Sequence, residues 1–130
     1  MPIYYIDTNF FLRFLLKDNL TQLKIVREYF SKAKSGTIRI VCLTEIILEI
    51  EYVLRKVYKY KRTIIGQFLL FILNISYLEF PDREVLYEAF KIYQKQSIDL
   101  VDLILYFKAK ERKAEILSFD KDFDKLNKSS

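Results

Sequence analysis

Ile3-Tyr4-Tyr5-Ile6-Asp7-Thr8-Asn9-Phe10-Phe11 decides how the rest of the chain is read. Its first four residues are β-branched or carry rings, which suits a short buried strand. A carboxylate follows at Asp7, and then a Thr-Asn pair of the kind that caps helices. From Phe10 to Lys17 the pattern is helical. A strand that releases an Asp at its carboxyl end, with a helix starting at once, places that charge at the ligand crevice of an α/β sheet. Asp7 taken alone is equally well explained as a helix cap. The site therefore depends on whether other elements send carboxylates to the same edge.

Working outward, Asp18-Asn19-Leu20 reads as a turn and Thr21 as the cap of a second helix, with Ile25, Val26, Tyr29, Phe30 and Ala33 on one face. Ser35-Gly36 stops it. Thr37–Val41 reads as a second strand. A third helix runs from Thr44, its expected cap, to about Tyr58. A fourth covers Arg62 to Leu73 and is apolar almost all round, which implies burial or an interface. Ile75–Phe80 reads as a third strand, and Pro81 opens a fifth helix. Ser97-Ile98-Asp99 starts a sixth that continues to about Lys113. Glu115–Phe119 reads as a fourth strand ending at Asp120, and a short helix, Lys121 to Leu126, follows. Alternating strands and helices predict one α/β domain over residues 1–130, a three-layer α/β/α sandwich with a mainly parallel four- to five-stranded sheet.

Composition narrows the chemistry. Hydrophobic residues make up 52% and charged residues 30% of 130 residues, which is the balance of a folded domain. Two Gly and two Pro leave little room for long loops. Cys42 is the single cysteine and histidine is absent, so disulfides, zinc sites and His-based nucleophilic catalysis drop out. Carboxylate, hydroxyl, lysine and a hard metal ion remain. No basic region precedes the first apolar residues, and the longest uncharged run falls short of a spanning helix. The expectation is a cytoplasmic protein with no membrane segment. The net charge of +5 is compatible with a polyanionic partner.

Asp7 and Asp120 each follow a strand. In a parallel sheet both reach the carboxyl edge. Glu45 and Glu49 share one face of the third helix, and Asp99 and Asp102 one face of the sixth. Asp102 sits among Leu100, Val101, Leu103, Ile104 and Leu105, where a carboxylate is costly unless paired or metal-bound. Glu45 and Asp99 have ordinary readings as a first-turn acid and a cap. Several oxygen donors with no His or Cys specify Mg²⁺ or Mn²⁺. Such an ion would lower the pKa of a water and shield a phosphodiester. Arg55, Lys56, Lys59, Lys61 and Arg62 are candidates to hold an RNA backbone, with Tyr52, Tyr58 and Tyr60 interleaved as stacking surfaces. Cations at the end of a helix are favourable in any case. Lys108, Lys110, Arg112 and Lys113 form a second basic set with the same two readings.

At this point the chain resembles the PIN domain family, specifically its small VapC-type toxins. Ile6-Asp7-Thr8-Asn9-Phe10-Phe11 is similar to the family's opening motif. Leu43–Leu54 is similar to its acidic helix, where the resemblance selects Glu49 over Glu45. Asp99-Leu100-Val101-Asp102 matches the third motif and Ser118-Phe119-Asp120 the last. Ser118 replaces a usual Thr, and Leu103 a common Ala. The resemblance implies a metal-dependent ribonuclease acting on single-stranded RNA, a homodimer, and an antitoxin protein that blocks the site. Asp7, Glu49, Asp102 and Asp120 would be the catalytic metal ligands, with Thr8, Asn9, Asp99 and Ser118 around them. Thr8 is expected to take over the helix cap and free Asp7 for the ion.

Other readings compete. A haloacid-type phosphoryl transferase needs a second Asp two residues after the first, where Asn9 stands. A receiver domain needs an acidic pair after the first strand. A non-catalytic protein- or RNA-binding module fits ten Tyr and eleven Phe, which can cover a large interface. A housekeeping RNA-processing nuclease and a DNA-cutting relative share the same acids.

Overall fold

In a computed structural model, the backbone is described for residues 1–129 and the side chains for 1–127. Three short strands, β1 (Ile3–Tyr5), β2 (Arg39–Val41) and β3 (Leu78–Glu79), make a parallel sheet in the order β1-β2-β3. Ile3 pairs with Arg39, Tyr5 with Val41, and Ile40 with Leu78. Parallel pairing sends all three carboxyl ends to one edge, where Asp7, Thr44 and Asp82 follow.

Among the described residues there are seven helices: α1 (Thr8–Leu16), α2 (Leu20–Lys34), α3 (Thr44–Lys56), α4 (Arg62–Leu73), α5 (Arg83–Tyr93), α6 (Leu100–Glu111) and α7 (Asp122–Ser129). Apolar residues at helical spacing build the core. Ile47, Ile50 and Leu54 of α3 meet Leu69 and Ile72 of α4, Leu86 and Phe90 of α5, and Leu103 of α6 in one continuous cluster. Full burial of each such side chain is worth on the order of 1.5–3 kcal/mol. The α/β class is as the sequence predicts.

The sheet is smaller than predicted. Among the described residues there are three strands, not four or five. Glu115–Phe119 forms no strand, with Leu117 and Phe119 fully exposed. Local turns satisfy its far end instead. Ser118 Oγ accepts the Asp120 N–H at 2.9 Å, and Asp120 Oδ1 accepts the Asp122 N–H at 2.9 Å. Side-chain bonds of this kind compete with a strand ladder. β1 is consequently an outer strand. Ile3, Tyr4 and Tyr5 are all exposed, where the sequence suggested burial.

Helix ends differ in detail. Asn19, not Thr21, caps α2, its Oδ1 accepting the Gln22 N–H at 3.0 Å. Thr44 begins α3 without capping it and donates to Asp82 Oδ2 at 2.6 Å. Gly36 ends α2 at φ +80, as expected. Lys17, Lys59 and Lys113 follow α1, α3 and α6 in the same left-handed region. Helix α4 buries Ile65, Leu69 and Ile72, while Phe71 on its other side is 56% exposed.

Candidate metal centre

Asp7 occupies the cap position of α1. Its backbone is extended and its Oδ1 accepts the Phe10 N–H at 2.8 Å. The division of roles expected from the sequence is therefore reversed: Asp7 caps, and Thr8 is the first helical residue. The Thr8 side chain is buried and its Oγ1 has no hydrogen-bond partner among the described residues. The second oxygen of Asp7 is outside the cap bond. Asp7 and Asn9 border a groove of about 300 Å³ with Phe10, Arg13, Gln22 and Ile25.

Helix α3 presents Glu45 and Glu49 on its exposed side and Glu51 on its buried side. Arg55 does not pair with Glu49. It engages Glu51, with Nε donating at 2.7 Å.

At the start of α6, Asp99 holds the cap position without a side-chain cap bond. Its carbonyl accepts the Leu103 N–H at 3.1 Å, and its carboxylate lies within electrostatic range of Arg55. Asp102 lies one turn along. Burial pushes its carboxyl above the ordinary Asp value, and the charges of Asp99, Asp120 and Asp122 push the same way. No ion pair neutralises Asp102 among the described residues. Asp120 and Ser118 border a different cleft, together with Lys110, Lys113 and Lys121.

The structure thus brings Asp99, Asp120 and Asp122 into electrostatic range of Asp102. Asp7 and Glu49 are not among the charges that act on Asp102. Among the described residues, no three acids stand close enough to enclose one ion. The donor chemistry nevertheless fits a hard divalent cation. A partly buried carboxylate with three like charges nearby and no cation is what such an ion relieves.

The basic candidates divide. Lys56, Lys59 and Lys61 face solvent beside the stacked rings of Tyr58 and Tyr60, whose centroids are 6.2 Å apart. Arg55 is tied to Glu51, and Lys108 to Asp82 at 3.3 Å. Arg62 is turned inward, donating to the carbonyls of Tyr93 and Ile98. Sequence reasoning missed the Glu51–Arg55–Tyr93–Arg62 network. One signal was available: Glu51 lies on the same helix face as Ile47 and Leu54, where a lone acid demands partners.

A family model described as PIN domain matches residues 4–129. The VapC ribonuclease of Aquifex aeolicus (strain VF5) is 27% identical over 122 residues, covering 93% of this chain and 90% of that protein. No solved structure gives a significant match.

Proposed function

The chain belongs to the PIN domain family, and from that premise we propose that it is a divalent-metal-dependent endoribonuclease that cuts single-stranded RNA. On this reading it is the toxin of a toxin–antitoxin pair, acts as a homodimer, and is held inactive by its antitoxin protein. The observation that carries the reading is the extent of the likeness. The family match over 4–129 takes in Asp7, Glu49, Asp102 and Asp120, and a relative named as a ribonuclease aligns over 93% of the chain.

Those four acids would hold Mg²⁺ or Mn²⁺, with Thr8, Asn9, Asp99 and Ser118 orienting them. When bound, the ion would supply charge shielding at the phosphodiester and a lowered pKa for a water. The chain contributes the rest. Asp7 is fixed by its cap bond, so its free oxygen has a defined direction. Among the described residues Asp102 has no basic partner, so a bound cation would supply the charge that stabilises its ionised form. Lys110, Lys113 and Lys121 beside Asp120, and Lys56, Lys59 and Lys61 at the end of α3, offer positive charge to an RNA backbone.

One observation favours a second reading, a non-catalytic binding module: among the described residues the acids are not gathered into a single group. Calorimetric titration with Mn²⁺, run beside cleavage of a labelled single-stranded RNA, decides between them. The nuclease reading predicts metal-dependent cleavage and a binding heat that Asp102→Asn removes. Intact RNA and identical heats for wild type and Asp102→Asn would overturn it.

A further inference from the structure

Arg62 opens α4 but does its bonding elsewhere. Its Nε donates to the carbonyl of Tyr93 and its Nη2 to the carbonyl of Ile98, the two ends of the connection between α5 and α6. The guanidinium lies 3.9 Å from the centroid of the Tyr93 ring. Tyr93 is fully buried and donates from its hydroxyl to Glu51 Oε2 at 2.6 Å. Glu51 in turn takes the Arg55 bond at 2.7 Å. A continuous polar chain therefore runs from α3 through α5 to α4, and ends on the carbonyl immediately before Asp99.

Among the described residues, the other backbone bonds of the connection are local. The Lys95 and Gln96 N–H groups donate to the Ile92 carbonyl and the Ile98 N–H to the Gln96 carbonyl, each at 2.9 Å. Beyond these, the Ile98 side chain is buried, and α4 comes so close at Gly66 that a Cβ there would strike Gln94 Cγ. Arg62 thus holds the connection by hydrogen bonds, and Gly66 of the same helix leaves room for the Gln94 side chain beside it. What the connection delivers is the start of α6, with Asp99 at the cap and Asp102 one turn on.

We propose that Arg62 is a positioning residue, clamping the Tyr93–Ile98 connection and so fixing the start of α6, with Asp99 and Asp102, for the binding of a divalent cation. The inference rests on the reading of Asp102 as a metal ligand. A planar guanidinium can bridge two carbonyls while stacking on a ring; a lysine ammonium keeps the charge but loses the fork and the stack. Residues that orient ligands from outside typically change metal affinity by about 10–100-fold when replaced.

The test uses the full chain, Mn²⁺ alone as the metal probe, and oligouridine in EDTA as an RNA probe that cannot be cut. In Arg62→Lys and Arg62→Gln, well below the melting midpoint, Mn²⁺ affinity should fall about tenfold or more, with EDTA-state RNA binding unchanged. Tyr93→Phe keeps the ring and both carbonyl bonds, so its Mn²⁺ affinity should stay within about twofold of wild type, a marginal change by the same measure. Unchanged Mn²⁺ affinity in folded Arg62→Lys overturns the inference. So does loss of RNA binding with metal affinity intact, which would make Arg62 an RNA contact. If Arg62→Gln does not fold, Arg62→Lys carries the test, and failure of both to fold overturns it in favour of a purely stabilising role. If wild type shows no Mn²⁺ binding that Asp102→Asn removes, the metal-site reading falls and this inference with it. If wild type binds and the Arg62 variants bind equally, only the inference falls.

Discussion

Asp7 and Phe10 are joined across the first turn of α1, the carboxylate Oδ1 accepting the backbone N–H at 2.8 Å. One side chain therefore both starts a helix and stands at the carboxyl edge of the sheet. The two duties separate by substitution. Asn caps as well as Asp, so Asp7→Asn should unfold in urea close to wild type yet lose RNA cleavage. Asp7→Ala should lose cleavage and also about 1 kcal/mol of stability. Cleavage by Asp7→Asn at the wild-type rate in the same metal buffer would remove Asp7 from the site.

Glu51 is buried and answers both Tyr93 and Arg55. Glu51→Ala leaves the Tyr93 hydroxyl without its acceptor and Arg55 without its counter-charge. A loss of about 3 kcal/mol is expected, at the low end for breaking a buried pair because Arg55 is partly exposed. Urea unfolding measures it. Adding Tyr93→Phe to Glu51→Ala should recover part of the loss, because the orphaned donor is then gone.

Asp102 sets a pH dependence of known sign. Its native carboxyl holds a proton to higher pH than the unfolded chain does, through burial first and the neighbouring acids second. Between the two values the native state binds more protons, so stability falls as pH rises through that window. Without metal, Asp102→Asn should melt slightly higher than wild type at neutral pH. The difference should fade below about pH 4, where both states are protonated. Added Mn²⁺ should raise the wild-type midpoint and leave the mutant unmoved. A mutant that melts lower than wild type at neutral pH would show that Asp102 has a stabilising partner.

Cys42 should be inert while the chain is folded. Desolvation pushes its thiol up to about 12, and the side chain has no exposed surface. A thiol-specific reagent at mildly alkaline pH should modify the native protein only as fast as it opens, and the denatured chain at once. Fast native modification would mean that the centre of the sheet opens readily. The raised thiol also makes stability decline as pH climbs above about 9, since the folded state keeps the proton longer.

The helices were legible because their apolar periodicity is long and unambiguous: Ile47, Ile50 and Leu54 could occupy no other face. Asp102 was legible as a carboxylate among apolar residues, whereas Asp7 read equally well as the helix cap that it is. Glu115–Phe119 was misread because a β pattern states a propensity, whereas pairing requires an edge in register and freedom from local turns. Ser118 and Asp120 supply those turns themselves. Arg62 was misread for a different reason. Its sequence neighbours are basic and exposed, but its bonding partners are backbone carbonyls of Tyr93 and Ile98, far along the chain and carrying no side-chain signal.

The three left-handed lysines bear on how far this protein stands from its most stable form. A side chain in that region costs roughly 1–2 kcal/mol through crowding of its Cβ, and Lys17, Lys59 and Lys113 each sit there at φ between 55 and 57. Glycine adopts the same backbone freely, although it adds flexibility to the unfolded chain, so the net gain per exchange is nearer half of that cost. A chain with only two glycines has thus turned three corners with the residue type that also gives it positive charge. Thermostability and positive charge are opposed at these positions: each lysine replaced by glycine would raise the melting midpoint and remove one positive charge from the surface.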